Sequence, residues 1–194
     1  MKYCAFTKDG NDMKSPCKPF PFQLEYHQDL CDAWAQSNLF ITQKSRQMQV
    51  TWHMLGLHLW LALTGTDREI YLRRQTFDDA LKLLEDTQYI YDHIPTEIWP
   101  KEALPKIYSR EGVIMFPDLN NTIYAVSSGR DKMRGRTPTA ALLDEFAFQD
   151  DAEFVYQTLK PSFSGGSKIS IVSTPKPLFG DEDPIFRKLF EDRA

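Results

Sequence analysis

Along the chain, apolar and polar positions alternate in short blocks, and each block carries its own period. Gln23 to Gln36 places apolar residues at helical spacing until Asn38 breaks the pattern, and Leu39 to Thr42 follows as a short buried strand. Lys44 to Gln49 is polar. It leads into the most apolar stretch, Trp52 to Leu63, which is well short of the roughly 20 residues a membrane span needs and carries His53 and His58. This stretch predicts a buried helix starting near Val50, with Met48, Trp52, Met54 and Trp60 in the core. Arg68 to Arg73 reads as a second strand, its Arg73-Arg74 end being either a DNA contact or a solvated strand terminus. Thr76 to Tyr91 reads as an amphipathic helix capped by Thr76, with Asp78 and Asp79 in its first turn.

Beyond a proline-containing connector, Ile94 to Pro105, the segments Lys106 to Tyr108, Val113 to Phe116 and Thr122 to Val126 read as antiparallel strands or hairpins. Ala140 to Leu143 runs directly into Asp144-Glu145, the pattern of a central parallel strand that delivers carboxylates at its C-terminal end. Lys168 to Ser173 repeats that pattern and delivers Ser173, Thr174 and Pro175, and a short helix follows near Pro184 to Asp192. Alternating strands and helices predict an α/β architecture with a mainly parallel sheet. In such sheets ligands bind at the carboxyl ends of strands, so the polar strand ends converge on one crevice.

Composition narrows the picture. The 194 residues are 42% hydrophobic and 26% charged, with thirteen Phe, eight Tyr and four Trp, enough large apolar surface for one folded core and too much for a disordered chain. The N-terminus has no apolar segment of the signal-peptide kind, which points to a cytoplasmic protein without a membrane partner. Cys4, Cys17 and Cys31 have no C-x-x-C spacing, so they indicate neither a disulfide framework nor a zinc site. A net charge of −4 gives no global attraction to nucleic acid. Any DNA contact must come from a local patch, such as Arg130, Lys132, Arg134 and Arg136.

The junction Lys44-Ser45-Arg46-Gln47-Met48-Gln49-Val50-Thr51 opens a helix after a strand, where backbone amides and the helix dipole favour anions. Phosphoryl transfer to water needs such a cradle, a Mg2+ held by a hydroxyl and a carboxylate, and a group that orients the attacking water. Thr51, Asp144 and Glu145 are candidates for these roles. Against G-x-x-x-x-G-K-[ST], Lys44 stands at the first glycine, Gln49 at the second and Val50 at the lysine, and Thr51 alone fits.

Nevertheless KSRQM-x-x-T after an apolar strand resembles the deviant Walker A motif of the large terminase subunits of tailed bacteriophages. ALLDEFAF resembles that family's Walker B strand, SSGRDKMRGRTP its arginine-containing segment, SIVSTPKP its coupling motif, and FPFQLEYHQDL its adenine-recognition segment. All five lie in the family's order between about Phe20 and Pro177.

The resemblance implies a RecA-like ASCE P-loop NTPase with helices on both faces of the sheet. A leader would occupy residues 1–19 and an ATPase domain residues 20–194, with no room for the family's nuclease domain. It implies Gln28 at the adenine, and the loop Lys44, Ser45, Arg46, Gln47, Met48, Gln49, Val50 and Thr51 around the phosphates of ATP. Thr51 and Asp144 would hold Mg2+, Glu145 would activate water, Arg134 would stabilise transferred charge, and Ser173 with Thr174 would sense the γ-phosphate. The implied partners are double-stranded viral DNA, a portal protein, a small terminase subunit and further copies in a ring docked on the procapsid portal in the host cytoplasm. In such a ring, avidity compensates for the acidic charge of each subunit.

Two departures stand out. Val50 replaces the usual lysine, and Gln49 replaces a glycine, which costs roughly 1 to 2 kcal/mol if the loop needs a positive φ there. They leave open a non-hydrolysing nucleotide-binding or assembly module, and a helicase-like translocase is a further alternative.

Overall fold

A computed structural model of the chain describes residues 6–8, 14–16, 21–46, 48–129, 137–176 and 185–191. In chain order these residues form β1 (Phe6–Lys8), β2 (Lys14–Pro16), α1 (Pro21–Gln36), β3 (Leu39–Gln43), α2 (Val50–Thr64), β4 (Glu69–Arg73) and α3 (Phe77–Asp92). There follow β5 (Tyr108–Arg110), β6 (Val113–Phe116), β7 (Asn121–Val126), β8 (Ala140–Asp144), α4 (Ala152–Ser164), β9 (Lys168–Ser173) and α5 (Ile185–Glu191). β1 and β2 pair antiparallel by themselves, within the stretch read as a leader.

The seven remaining strands form one sheet in the order β3-β9-β8-β4-β7-β6-β5. β3, β9, β8, β4 and β7 are mutually parallel, and β6 and β5 continue antiparallel at one edge. The three segments read as hairpins therefore divide. β5-β6-β7 is an antiparallel meander, but β7 docks parallel to β4. The connection that makes this possible runs through α3, which β7 packs beneath.

Both faces of the sheet are covered, and the period of two along each strand assigns the faces. Ile70 and Leu72 of β4, Ala140 and Leu142 of β8, and Val172 of β9 join α1, α2 and α3 in one core. Tyr71, Ala141, Leu143, Ile169 and Ile171 point the other way, into a second core with α4 and α5. A strand buried on both faces reads as a continuous apolar run, which is why Ala140 to Leu143 is legible as central.

Helix ends are closed by specific groups. Thr76 accepts a hydrogen bond from the Asp79 amide at 3.1 Å, the expected cap of α3. The α1 C-terminus is held by Lys168, whose Nζ donates to the carbonyls of Trp34, Ala35 and Ser37 at 3.0, 2.8 and 3.1 Å, and burial pushes its pKa down. The last turn of α2 is closed by Asn121, whose side-chain amide donates to the carbonyls of Ala62 and Gly65.

Core expectations for α2 hold only in part. Met54, His53 and His58 are buried and Trp52 is half-buried, whereas Trp60 is 47% exposed and Met48 is exposed. Trp60 lies in the last two turns of α2 and keeps nearly half of its surface in solvent. No helix among the described residues is long and apolar enough to cross a membrane.

Candidate functional site

The site lies where β3, β9, β8 and β4 end. These strands are parallel, so their carboxyl ends open on one edge of the sheet, and the chain exits there carry polar or charged residues. β3 continues into Lys44, β8 ends on Asp144, β4 on Arg73, and β9 on Ser173. The backbone amide of Lys44 donates to the Ser173 carbonyl at 3.0 Å, fixing the start of the loop against β9.

From there Lys44 reaches across the strand ends. Its Nζ lies 2.9 Å from Thr51 Oγ1, 3.3 Å from Asp144 Oδ1 and 3.0 Å from Glu145 Oε1. Thr51 Oγ1 is 3.1 Å from the same Asp144 oxygen. Asp144 is fully buried, and its other oxygen, Oδ2, accepts from Arg74, with Nε at 2.8 Å and a second bond from Nη2. A buried carboxylate without partners would be costly, and here both oxygens are met by cationic or hydroxyl donors.

Glu145 follows Asp144 but turns out of the strand in the left-handed region, at φ 50° and ψ 43°. Its side chain remains about one-third exposed. One oxygen faces Lys44, and the other accepts from the Thr174 hydroxyl at 3.1 Å and more distantly from the Thr174 amide at 3.4 Å. Ser173 is buried. Its Oγ accepts from the Ala147 amide at 3.0 Å and donates to the Thr174 carbonyl at 2.8 Å, tying the end of β9 to the turn after Glu145.

The loop itself carries the strain that its sequence foretold. Gln49 sits at φ 57° and ψ 11°, the left-handed conformation a glycine would adopt without cost, immediately before the first residue of α2. Val50 is buried in the α1–α2–α3 core, so the position of the missing lysine is filled by a packing residue. Ser45, Arg46 and Met48 are exposed, the first two in the stretch that approaches the helix N-terminus.

Lys44, Thr51, Asp144, Glu145, Ser173 and Thr174 thus come together. Gln28 does not join them by any contact. It is exposed on α1 and its amide donates to Asp32 one turn on, at 3.1 and 3.2 Å. Gln47 and Arg134 lie outside the described residues.

The expectation of a solvated strand end at Arg73-Arg74 is overturned. Arg73 is fully buried and pairs with Asp151 at 2.7 Å, and Arg74, one-quarter exposed, sits on Asp144. Burial leaves Arg73 no surface for DNA. Gln149 and Asp151 were not anticipated either. Gln149 accepts from Arg73 and donates to the Asp144 carbonyl at 2.9 Å, and Asp151 accepts the Gly129 amide at 2.9 Å. The available signal was positional: an Arg-Arg pair at the carboxyl end of a parallel strand stands beside whatever the neighbouring strand delivers.

The oxygen donors Thr51 Oγ1 and Asp144 Oδ1 are hard ligands converging at one point, a set that fits a small divalent cation such as Mg2+.

A polar loop between a parallel strand and its helix, with a carboxylate delivered by a strand two places away in a mostly parallel sheet, defines a RecA-like α/β fold. Solved structures with this fold include the large terminase of bacteriophage HK97, at TM-score 0.62 and 18% identity over 82% of this chain and 34% of that one. The large terminase ATPase domain of Thermus phage P74-26 matches at TM-score 0.60 and 17% identity, over 84% of this chain and 67% of that one. A large terminase from a thermophilic bacteriophage, solved in complex with ADP, matches at TM-score 0.54 and 12% identity over 81% and 39%. The chain therefore shares the fold of phage large-terminase ATPase domains and spans only about a third of the HK97 protein. No protein-family model and no curated protein sequence matches it.

Proposed function

We propose that the chain is the Mg2+-dependent ATP-hydrolysing motor domain of a DNA-packaging terminase. The observation that carries this reading is the convergence of Lys44, Thr51, Asp144 and Glu145 on one strand edge, beside a helix N-terminus entered through a left-handed residue. The likeness to terminase folds, one of them solved with ADP, supports it.

In this reading the amides at the start of α2, with Lys44 and Arg46, take the phosphate charge, and Thr51 and Asp144 hold the cation. A cation held by Thr51 and Asp144 would supply charge neutralisation to the phosphate oxygens. Glu145 orients the attacking water and takes its proton, its second oxygen being steadied by Thr174. Ser173 and Thr174, at the end of β9, then link the state of the γ-phosphate to the rest of the sheet. Gln28 at the adenine, and Arg134 as a charge supplied within or between subunits, complete the site. DNA, a portal protein, a small terminase subunit and a ring of copies are the partners such a motor serves.

The test is ATP hydrolysis by the purified chain with and without Mg2+, over a series of protein concentrations, beside Glu145→Gln. Removing the general base is expected to lower turnover about 10²- to 10⁴-fold while leaving nucleotide binding in place. A rate that rises faster than linearly with concentration identifies a site completed by a neighbouring copy. Turnover in Glu145→Gln equal to that of the unaltered chain overturns the reading.

A further inference from the structure

The guanidinium of Arg74 makes two hydrogen bonds to one oxygen of Asp144, and among the described residues the other side-chain contacts of that carboxylate, from Lys44 and Thr51, fall on the other oxygen. We propose that Arg74 is a positioning residue of the cation site: it fixes the carboxylate of Asp144 so that Oδ1 alone faces Thr51 and Lys44. The proposal rests on reading this cluster as a Mg-nucleotide site.

The torsion that turns an aspartate carboxylate is broad, so the side chain by itself does not fix the plane of its two equivalent oxygens. Two N–H groups of one guanidinium held on a single oxygen restrict that plane and leave the other oxygen toward Thr51 and Lys44, whereas an ammonium in the same place supplies charge without a fixed donor geometry. Arg74 is well placed to act this way. Its amide is held by the Val126 carbonyl at 3.3 Å, and the preceding side chain, Arg73, is locked in a buried pair with Asp151 on the other face. The chain therefore cannot turn at this point without breaking a buried ion pair. The Arg74 side chain is one-quarter exposed and reaches Asp144 from just past β4, the strand beside β8, while Thr51 and Lys44 reach it from the helix and loop after β3. Partners that orient a metal-binding carboxylate in this manner commonly change metal affinity by about 10- to 100-fold when removed.

The experiment uses Mn2+ as a paramagnetic probe. Free Mn2+ is followed by electron paramagnetic resonance during titration of the unaltered chain, Arg74→Lys and Arg74→Gln, each saturated with ADP. Binding of a fluorescent ADP analogue in EDTA is measured in parallel. Both variants are expected to bind Mn2+ at least about tenfold more weakly, with metal-free nucleotide affinity changed less than about threefold.

Arg74→Lys with the Mn2+ affinity of the unaltered chain would mean that charge alone suffices, and the positioning role falls. An equal drop in both affinities, or loss of cooperative unfolding in both variants, assigns Arg74 to phosphate contact or general support and also overturns it. If the unaltered chain binds neither ADP nor Mn2+ with ADP, the nucleotide-site reading itself fails, an outcome distinct from the other two.

Discussion

At the end of β4 two consecutive arginines turn to opposite faces of the sheet, and each meets a carboxylate. Arg73 meets Asp151 in a closed arrangement: Nη2 lies 2.8 and 2.7 Å from the two carboxylate oxygens, the Gly129 amide adds a third bond, and Gln149 takes Nη1. Arg74 meets Asp144, where one oxygen is committed and the other faces a lysine and a hydroxyl beside a partly exposed glutamate. The first cluster pairs both terminal nitrogens of the guanidinium, leaves only Nε without a partner among the described residues, and anchors α4 and the chain after β7. The second keeps oxygen donors convergent and ends in side chains that reach solvent. Backbone strain divides in the same way, since Gln49 and Glu145 are both left-handed and both belong to the Asp144 side. On the proposed reading, the strain and the open carboxylate fall on the side that would bind and release a charged ligand, and the neighbouring pair is the more enclosed of the two.

The contrast is broken most directly by removing the buried cation. Arg73→Met leaves Asp151 and Gln149 without their main donor inside the protein, and stability is expected to fall by about 3 to 5 kcal/mol in urea unfolding. Adding Asp151→Leu should recover much of that loss, because a buried pair replaced by packed apolar groups leaves no orphaned charge. Arg74→Gln should cost less, since the buried Asp144 keeps Lys44 and Thr51 on its other oxygen when the guanidinium is removed. Equal losses for Arg73→Met and Arg74→Gln would erase the distinction between an anchoring cluster and a site cluster. Burial by itself would raise the pKa of Asp151, but the hydrogen bonds from Arg73 and the Gly129 amide, with the Arg73 charge, hold it below the usual carboxylate range. Its contribution is therefore complete above the unfolded value near 3.9 and is lost as pH falls below it.

Much of this molecule is legible in its sequence. β3, β8 and β9 announce themselves as short apolar runs ending in polar residues, and Thr76 with its acidic first turn marks α3, whereas the parallel docking of β7 on β4 does not show in its sequence. Strand ends and motif likeness single out Lys44, Thr51, Asp144, Glu145, Ser173 and Thr174, and these residues do meet. What is not legible depends on lateral neighbours. Nothing local in Arg73-Arg74 says that β8 lies beside β4, because those strands are far apart in sequence, and without that pairing the arginines have no carboxylates to meet. The exposure of Trp60 has the same origin. Helical period places it on an apolar stretch, but only the arrangement of α1 and α3 decides which side of α2 stays uncovered.

A second comparison lies across the sheet, in the α1–α2–α3 core. His58 is buried there, its Nδ1 2.7 Å from the Met54 carbonyl and its ring against Trp34, and burial pushes its pKa down. Here burial and backbone carbonyls, with no opposite charge among the described residues, surround a titratable group, unlike Asp151. The sign follows from linkage: the unfolded chain takes up a proton that the folded chain resists. Stability is thus fully present above the unfolded value near 6.5 and declines as pH falls toward the lowered folded value, by at most about 1.4 kcal/mol per pH unit. Urea unfolding of the unaltered chain and His58→Leu at about pH 7.5 and about pH 5.5, either side of that unfolded value, isolates this contribution. The difference between the two pH values should shrink in the variant. An unchanged difference would show that the acid sensitivity in this window belongs to other groups, leaving His58 as packing only.

The smallest expected effect bears on the strain that separates the two arginine clusters. Gln49 holds φ 57° at the mouth of α2, and Gln49→Gly removes the Cβ conflict of that conformation while adding freedom to the unfolded chain. The left-handed penalty of about 1 to 2 kcal/mol exceeds the entropic cost of about 0.5 to 1 kcal/mol, so a net gain of about 0.5 to 1 kcal/mol is expected. A loss of stability would mean that the glutamine side chain contributes more through its contacts than its backbone costs. Nucleotide affinity in EDTA gives the second reading of the same variant. If the side chain serves only to fill the loop, glycine should leave affinity unchanged or raise it, because the amides before α2 are freer to close on a phosphate. If affinity falls while stability rises, Gln49 is a ligand contact whose strain is retained for binding, and the open cluster then differs from the closed one in chemistry as well as in geometry.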